Sequence, residues 1–138
     1  LLRFRLRIEA VWLLISLGSC SLLTNATKFI IGRPRPTQDL VEVYADSVTG
    51  SFPSGHVTSY IALYGFLFYL VSTLMRPSPL RTTLLIVLGA MICLVGLSRV
   101  YLGAHWASDV LGGYCFGFFW LALMIYLYRR FNGVSRPA

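Results

Sequence analysis

Two stretches of 19 residues without a charged side chain constrain this chain more than any other feature of its sequence. They run from Val57 to Met75 and from Val110 to Tyr128, and a helix needs about 20 residues to cross the hydrocarbon core of a bilayer. Thr82 to Leu97 is a shorter uncharged stretch, and Val11 to Ile31 is apolar but carries several hydroxyl groups and Lys28. With 57% hydrophobic and 12% charged residues, the composition is typical of a polytopic membrane protein.

These stretches predict an all-α fold, a polytopic transmembrane helical bundle that forms one domain over residues 1–138. Pro34 and Pro36 are expected to end the first helix, because proline lacks an amide donor and disfavours helix in the residue before it. The hydroxyl-bearing stripe of that helix should face protein and not lipid. Gly113 and Gly117 should let the last helix pack closely. The four helices are expected at about residues 6–32, 57–75, 81–98 and 105–130.

Positive charge collects at the ends of the predicted spans and thereby predicts the topology. Of the 12 Lys and Arg residues, eight flank what would be one face of the bundle. By the positive-inside rule that face is cytoplasmic, so both termini of this chain should be inside. The net charge of +7 therefore indicates orientation in a cell membrane and contact with anionic headgroups, and no nucleic-acid partner. The eight residues are Arg3, Arg5, Arg7, Arg76, Arg81, Arg129, Arg130 and Arg136.

Three short polar segments interrupt the apolar sequence at the opposite ends of the spans. Charged side chains are costly inside a bilayer, so their clustering there indicates a functional site on the extracytoplasmic face. A polar loop from Thr37 to Phe52 is expected to form a wall of that site. The first segment contains Lys28, Arg35 and Pro36, the second is Pro53-Ser54-Gly55-His56, and the third contains Ser98, Arg99, His105 and Asp109.

The basic residues of these segments are suited to binding phosphate. A phosphate monoester carries two negative charges. Lys28 offers a compact positive charge, and Arg35 and Arg99 offer planar guanidinium groups that can each bind two phosphate oxygens. Ser54 and Gly55 precede a predicted helix start, where a hydroxyl group and exposed amides would form an anion cradle. The alternative is that Ser54 only caps that helix.

His105 and Asp109 are predicted to form a nucleophile and the carboxylate that orients it. They are four residues apart, which on a helix places both on one face. The carboxylate would accept from one ring nitrogen and leave the other free to attack phosphorus. One alternative is a buried pair that only stabilises the helix end, and another is a zinc site formed with His56. Three cations in the same place would repel a divalent ion, so neither a metal nor a cofactor is expected.

The order and spacing of these segments resemble the three-part signature of the type 2 phosphatidic acid phosphatase superfamily, which is related to bacterial acid phosphatases and vanadium haloperoxidases. Six residues separate Lys28 from Arg35, and five separate Arg99 from His105. The resemblance implies that His105 is the nucleophile and forms a phosphohistidine, that Asp109 orients it, and that His56 protonates the leaving group. It also implies a set of phosphate-binding residues: Lys28, Arg35, Ser54, Gly55 and Arg99.

Several residues near the signature carry no predicted chemistry. Arg33 is not at a fixed position of the family signature, and Ser98 is expected only to cap or support its loop. The three cysteines lack the paired spacing of a zinc site and are expected to be small buried residues. They are Cys20, Cys93 and Cys115.

The resemblance implies a metal-independent integral membrane phosphatase acting on a lipid phosphate or lipid pyrophosphate at the extracytoplasmic surface, with the bilayer and a membrane lipid as its partners. Family members act on undecaprenyl pyrophosphate, phosphatidylglycerophosphate or phosphatidic acid, of which the first is favoured here by analogy. One alternative is a non-catalytic lipid-phosphate-binding protein of the same fold. Another is a vanadate-dependent oxidase, against which the membrane spans argue. The resemblance also implies a six-helix architecture whose N-terminal helices this chain would lack, and the oligomeric state stays open.

Overall fold

The computed structural model describes residues 7–40, 43 and 49–132, and every regular element within those ranges is a helix. A π-helical turn, Ile61–Gly65, joins two helices into one segment from Gly55 to Leu74. Four helical segments result that are long and apolar enough to cross a membrane, which confirms the all-α transmembrane prediction. The helices are α1 (Arg7–Ile31), α2 (Gly55–Tyr60), α3 (Phe66–Leu74), α4 (Pro79–Tyr101) and α5 (Ala107–Asn132).

Some predicted features lie outside the described residues. These are the predicted helix start at residue 6 and three of the arginines that predicted the topology, Arg3, Arg5 and Arg136. Residues 41–42 and 44–48 of the predicted loop wall also lie outside the described ranges. Thr49 and Gly50, at the end of that loop, are described and contact the site.

Glycine, and not proline, ends α1. The helix stops at Ile31, and Gly32 adopts a left-handed conformation with a φ of 59°. Its amide donates to the carbonyl oxygen of Lys28 at 2.9 Å, which closes the last turn in the way a glycine C-cap does. The prediction that Pro34 and Pro36 end the helix was therefore wrong, because both prolines follow a turn that the glycine has already made.

Sequence signals at the start of α4 are those of a well-capped helix. The Ser78 hydroxyl accepts from the amide of Arg81 at 3.2 Å, and Pro79 is the first helical residue, where its missing amide hydrogen costs nothing. The helix continues to Tyr101, three residues beyond the predicted end at 98. Arg99 therefore lies in the last turn of α4 and not in the loop that follows it.

The segment formed by α2 and α3 packs against all the other helices. The contact with α5 passes through two glycines. A Cβ atom added at Gly113 would lie 3.1 Å from Cβ of Val57, and one at Gly117 would lie 2.7 Å from Cδ1 of Ile61. The predicted close packing at these glycines is confirmed, since a larger side chain would push α5 away. The core comprises Val57, Ile61, Phe66, Leu70, Val95, Val110, Leu121, Met124 and Tyr128.

The polar stripe of α1 faces protein in part: Ser16 and Thr24 are buried as predicted, whereas Ser19 and Thr27 donate to carbonyl oxygens of their own helix. Its buried residues recur every four positions: Ser16, Cys20, Thr24 and Lys28. Ser16 donates to the carbonyl oxygen of Ala62 at 3.4 Å, and Thr24 donates to Oγ1 of Thr58 at 3.1 Å. These bonds hold α1 against the central segment and keep its last buried residue, Lys28, at the end of the bundle where the polar segments meet.

The outer faces of the helices are apolar. Phe29 is 91% exposed and Leu22 is 73% exposed, as expected of side chains that contact lipid. Cys93 and Cys115 are also exposed, so the prediction that all three cysteines are buried is wrong for these two and holds for Cys20. Small apolar residues in a membrane span can face lipid as readily as protein, because lipid tails are as apolar as a protein core.

Candidate active site

Residues from all three polar segments meet at one end of the bundle. They line a cavity of about 320 Å³ between α1, α2 and the turn before α5. Five of the predicted site residues contribute to its wall, namely Lys28, Arg35, Gly55, His56 and His105. Ser54 and Asp109 are buried beside it, each with no exposed surface. A larger cavity of about 820 Å³ adjoins it and shares Lys28 and Arg35.

Lys28 is held in the cavity wall by the loop that precedes α2. Its side chain is 7% exposed, and Nζ donates to the carbonyl oxygen of Gly50 at 2.6 Å. The loop comes unusually close at this point, because a Cβ atom added at Gly50 would lie 2.8 Å from the carbonyl oxygen of Lys28. Only glycine allows the loop to reach the lysine in this way.

Arg35 links the same loop to the turn that carries His105. Nε donates to the carbonyl oxygen of Thr49 at 3.0 Å, and Nη1 donates to the carbonyl oxygen of Ala104 at 2.7 Å. Nη1 also lies 3.5 Å from Nε2 of His105. Burial lowers the pKa of Arg35, while Asp109 opposes the shift. The guanidinium group is therefore fixed beside one particular nitrogen of the histidine ring.

Ser54 does not cap α2, so the capping alternative is wrong. It occupies the N-cap position, but its side chain makes no capping hydrogen bond. Its Oγ is buried and has no hydrogen-bond partner among the described residues. Leaving a buried hydroxyl group without a partner costs free energy. A ligand that forms a hydrogen bond with this oxygen would remove that cost. The amide of Ser54 donates to the carbonyl oxygen of Asp109 at 3.0 Å and so ties the second polar segment to the third.

Gly55 and His56 lie in the first turn of α2, which begins two residues before the predicted helix start at 57. A Cβ atom added at Gly55 would lie 3.5 Å from Cε of Lys28, so a larger side chain would narrow the cavity beside the lysine. His56 lines the cavity and experiences the charges of three cations: Lys28, Arg35 and Arg99.

The prediction that His105 and Asp109 share a helix face was wrong. α5 begins at Ala107, so His105 precedes it and Asp109 lies in its first turn. A turn with Gly103 at a φ of 63° reverses the chain after α4 and returns His105 to the cavity wall. Nδ1 of His105 lies 3.7 Å from Oδ2 of Asp109, which is longer than a hydrogen bond.

The carboxylate of Asp109 has three other partners. Nη1 of Arg33 donates to Oδ1 at 2.7 Å, the amide of Trp106 donates to Oδ2 at 3.0 Å, and the hydroxyl group of Ser51 also donates to Oδ2. The Trp106 contact is the half of a capping box in which an acidic residue reaches back to the start of its helix. With these three donors bound, the carboxylate is poorly placed to bind zinc as well.

Arg33 and Ser51 are site residues that the sequence reasoning missed. Arg33 lies beside the signature but not at a fixed position, and Ser51 precedes the second segment by two residues. The one available signal was charge: a buried Asp109 needs a cation, and Arg33 was the one arginine for which the sequence had predicted no role. No spacing rule could have identified Ser51, because its position depends on how the loop folds back.

The environment of His105 favours its neutral form. Burial lowers the pKa of His105 from 6.5 to about 4, with further lowering by Arg35 and Lys28 and opposition from Asp109 and from the backbone of Ser51. The ring is therefore neutral near pH 7 and retains a lone pair on one nitrogen.

We expect this shift to make the protein less stable in acid. Between a pKa of 6.5 and one of about 4, the unfolded state binds a proton that the folded state does not, so the contribution of His105 is lost as the pH falls through that window. Thermal unfolding in detergent should therefore show a larger drop between about pH 7 and about pH 5 in the parent than in His105→Gln. An equal drop in stability in both proteins would contradict the lowered pKa of His105 in the folded state.

Arg99, unlike Arg35, is not among the described residues that line the cavity wall, although its charge acts on His56. Its Nε donates to Oγ of Ser98 at 3.1 Å, and its carbonyl oxygen accepts from the amide of Ala104 at 3.1 Å. Ser98 lies within α4 and not in a loop, and its hydroxyl group donates to the carbonyl oxygen of Val95 at 3.0 Å.

Known proteins are similar to this chain in sequence and in the arrangement of their helices. The sequence profile of the PAP2 superfamily matches residues 9–132. Phosphatidylglycerophosphatase B of Bacillus subtilis is 34% identical over 125 residues, which cover 90% of this chain and 58% of the relative. A lipid A 1-phosphatase of Rhizobium etli is 32% identical over 116 residues, which cover 79% of this chain and 46% of the relative. The chain thus spans about half the length of the curated relatives it matches.

The fold is also similar to a solved structure. The crystal structure of a transmembrane PAP2-type phosphatidylglycerolphosphate phosphatase from Bacillus subtilis aligns with a TM-score of 0.71 and 30% identity. The alignment covers 99% of this chain and 71% of that structure. Sequence and fold therefore lead to the same group of proteins.

Proposed function

This chain belongs to the PAP2 superfamily, and we propose that it hydrolyses a phosphate group of a membrane lipid. The observation that carries the proposal is the cavity in which two cations and two histidines meet. Transfer of a phosphoryl group needs converging positive charge and a nucleophile, and the lining supplies both through Lys28, Arg35, His56 and His105. The alternative of a non-catalytic binding protein loses support, because every signature position retains its reactive residue.

Phosphate binding is proposed for five residues. Lys28 and Arg35 line the cavity and would contact the phosphate oxygens directly. The unpartnered hydroxyl group of Ser54 and the backbone of Gly55, which lines the cavity, would complete the cradle. Arg99 does not line the cavity and would act through the positive charge that it adds near His56.

Chemistry would begin at Nε2 of His105, which lies beside Arg35. Its lone pair forms a bond to phosphorus while the bond between phosphorus and the lipid oxygen breaks, and His56 gives its proton to that oxygen. His56 is then neutral and takes a proton from water, which attacks the phosphohistidine and releases phosphate. Asp109 would stabilise the positive ring that forms on His105. No step requires a metal ion.

The proposed substrate is a phosphate monoester on a lipid of the phosphatidylglycerophosphate type. The Bacillus subtilis relatives are named for that activity, which favours it over the isoprenoid pyrophosphate that analogy suggested. The same cavity is lined by polar side chains beyond the cations, and these suit a headgroup that carries hydroxyl groups. They are Ser21, Thr24, Asn25, Ser59 and Tyr60.

Phosphate release from a panel of lipid phosphates tests the proposal. The purified protein in detergent should hydrolyse phosphatidylglycerophosphate with excess chelator present, and vanadate should inhibit it, because a five-coordinate vanadium oxyanion mimics the transferring group. The panel should include phosphatidic acid and undecaprenyl pyrophosphate. Release from none of the three lipids would overturn the function, and activity that a chelator removes and a divalent ion restores would overturn metal independence.

The cavity is proposed to open to the extracytoplasmic side. Along the described helices, Arg7, Arg81 and Arg129 lie at the opposite end of the bundle from His105, and positive ends are retained in the cytoplasm. This orientation supports release of phosphate outside the cell.

Cysteine labelling in intact cells tests this orientation. In a background without Cys20, Cys93 and Cys115, we expect Leu40→Cys to react with an impermeant thiol reagent, because this position is 64% exposed in the loop at the cavity end. Ser78→Cys, exposed in the turn before α4, should react only after the membrane is opened. The reverse pattern would move the cavity to the cytoplasmic side.

A further inference from the structure

A serine hydroxyl group lies between the two residues expected to work as a pair. Ser51 is fully buried, and its Oγ donates to Oδ2 of Asp109 and lies 3.4 Å from Nδ1 of His105. The direct separation between Nδ1 and Oδ2 is 3.7 Å. The contact from the histidine to the carboxylate therefore passes through the serine and not directly across the gap.

The surroundings hold Ser51 in this place. Its amide donates to the carbonyl oxygen of Arg33 at 2.8 Å, and the side chain of Arg33 binds the other oxygen of Asp109 at 2.7 Å. Arg33 thus fixes both the backbone of the serine and the carboxylate that the serine contacts. The carboxylate cannot turn toward His105 without losing these donors.

The direction of the hydrogen bonds sets the tautomer of His105. A serine hydroxyl group has one hydrogen, and here it is donated to Oδ2 of Asp109. Toward Nδ1 the oxygen can only accept, so the contact at 3.4 Å is a hydrogen bond when Nδ1 carries the ring proton of the neutral histidine. The lone pair is then on Nε2, the nitrogen that lies 3.5 Å from Arg35 and faces the proposed phosphate position.

We propose that Ser51 is a positioning residue that fixes His105 in its Nδ1-protonated tautomer and connects it to Asp109. The inference rests on the proposed function, in which Nε2 attacks phosphorus. During that attack the Nδ1 proton stays on the ring, the new bond forms from the Nε2 lone pair, and the lipid oxygen leaves with a proton from His56. The positive charge that develops on the ring is stabilised by Asp109 through the serine hydroxyl group.

The ring nitrogens of the histidines provide a test that needs no activity. The chain has two histidines, so nitrogen-15 spectra of the labelled protein near neutral pH can be assigned with His56→Gln. We expect the His105 ring of the parent to be protonated at Nδ1, and Ser51→Ala to shift it toward the Nε2-protonated form. A parent ring protonated at Nε2, or an unchanged tautomer in Ser51→Ala, would overturn the inference.

Kinetics provide the second measurement. Ser51→Ala should lower kcat by about tenfold to a hundredfold, the effect of losing one hydrogen bond to a charged group, while KM changes by less than about threefold. Ser51→Thr keeps the hydroxyl group and should recover part of the loss. Ser16→Ala removes an equally buried hydroxyl group outside the site and should retain the parental kcat.

The two proposals fail in different ways. A parent that hydrolyses no lipid phosphate overturns the proposed function, while its nitrogen spectrum still shows whether the serine sets the tautomer. A parent that is active, with a Ser51→Ala variant of equal kcat and unchanged tautomer, overturns the role of Ser51 alone.

Discussion

His105→Gln should lower the rate of phosphate release by at least about a thousandfold, because glutamine offers no nitrogen lone pair that can attack phosphorus. The remaining site should persist, since Lys28 and Arg35 are held by backbone carbonyl oxygens and not by the histidine. Binding of inorganic phosphate, measured by protection against thermal unfolding, should therefore weaken much less than turnover does. Release of lipid-derived phosphate in detergent measures the loss.

Trp106→Phe is a suitable control for His105→Gln because it changes the same turn. The indole Nε1 of Trp106 donates to the carbonyl oxygen of Pro34 at 3.0 Å. The variant loses this hydrogen bond and leaves the imidazole ring of His105 unchanged. We expect it to retain most of the parental rate. A His105→Gln protein that turns over at more than a few hundredths of the parental rate would show that the nucleophile is another residue.

Arg35→Lys is the second change with a large expected effect, a fall of about a hundredfold in kcat/KM. The guanidinium group of Arg35 binds the carbonyl oxygens of Thr49 and Ala104 while it lies beside Nε2 of His105. An ammonium group keeps the charge but cannot make these contacts from one fixed plane. The loss should appear in both kcat and KM, since the same group holds the site and binds the phosphate.

Arg81→Lys is the matched control for Arg35→Lys. Arg81 also donates from its guanidinium group to a backbone carbonyl oxygen, that of Ser72 at 2.8 Å, but at the far end of the bundle. Its replacement should leave kcat/KM within about twofold of the parent. Equal activity of Arg35→Lys and Arg81→Lys would contradict the claim that the planar guanidinium group of Arg35 is needed to bind the phosphate.

The number and order of the helices could be predicted because lipid imposes a simple rule. A span must be long and nearly free of charge, and the uncharged stretches placed all four segments within a few residues of their observed ends. The buried stripe of α1 was predictable for the same reason, since hydroxyl groups in a span seek protein contacts. Helix ends were harder. Gly32, and not the following prolines, ends α1, because a left-handed residue closes a helix before proline can interrupt it.

The candidate site could be predicted in part. The signature positions identified the cavity-lining cations and histidines, because their spacing places them all at one end of the bundle. The partners of Asp109 could not be predicted, since the turn between α4 and α5 places His105 before the helix and opens a gap that Ser51 fills. Arg33 was missed for a related reason: its role depends on a contact across 76 positions of the chain.

A rapid-quench experiment with a lipid radiolabelled in its phosphate group tests the central claim, that this chain transfers the phosphoryl group to His105. With protein in excess over substrate, the quenched protein should carry a label that survives alkali and is lost in acid, as expected of a bond between phosphorus and a ring nitrogen. The label should map to the peptide that contains His105 and should be absent from His105→Gln. Full phosphate release by the parent without labelled protein at any time point, or a label of equal size in His105→Gln, would contradict the account.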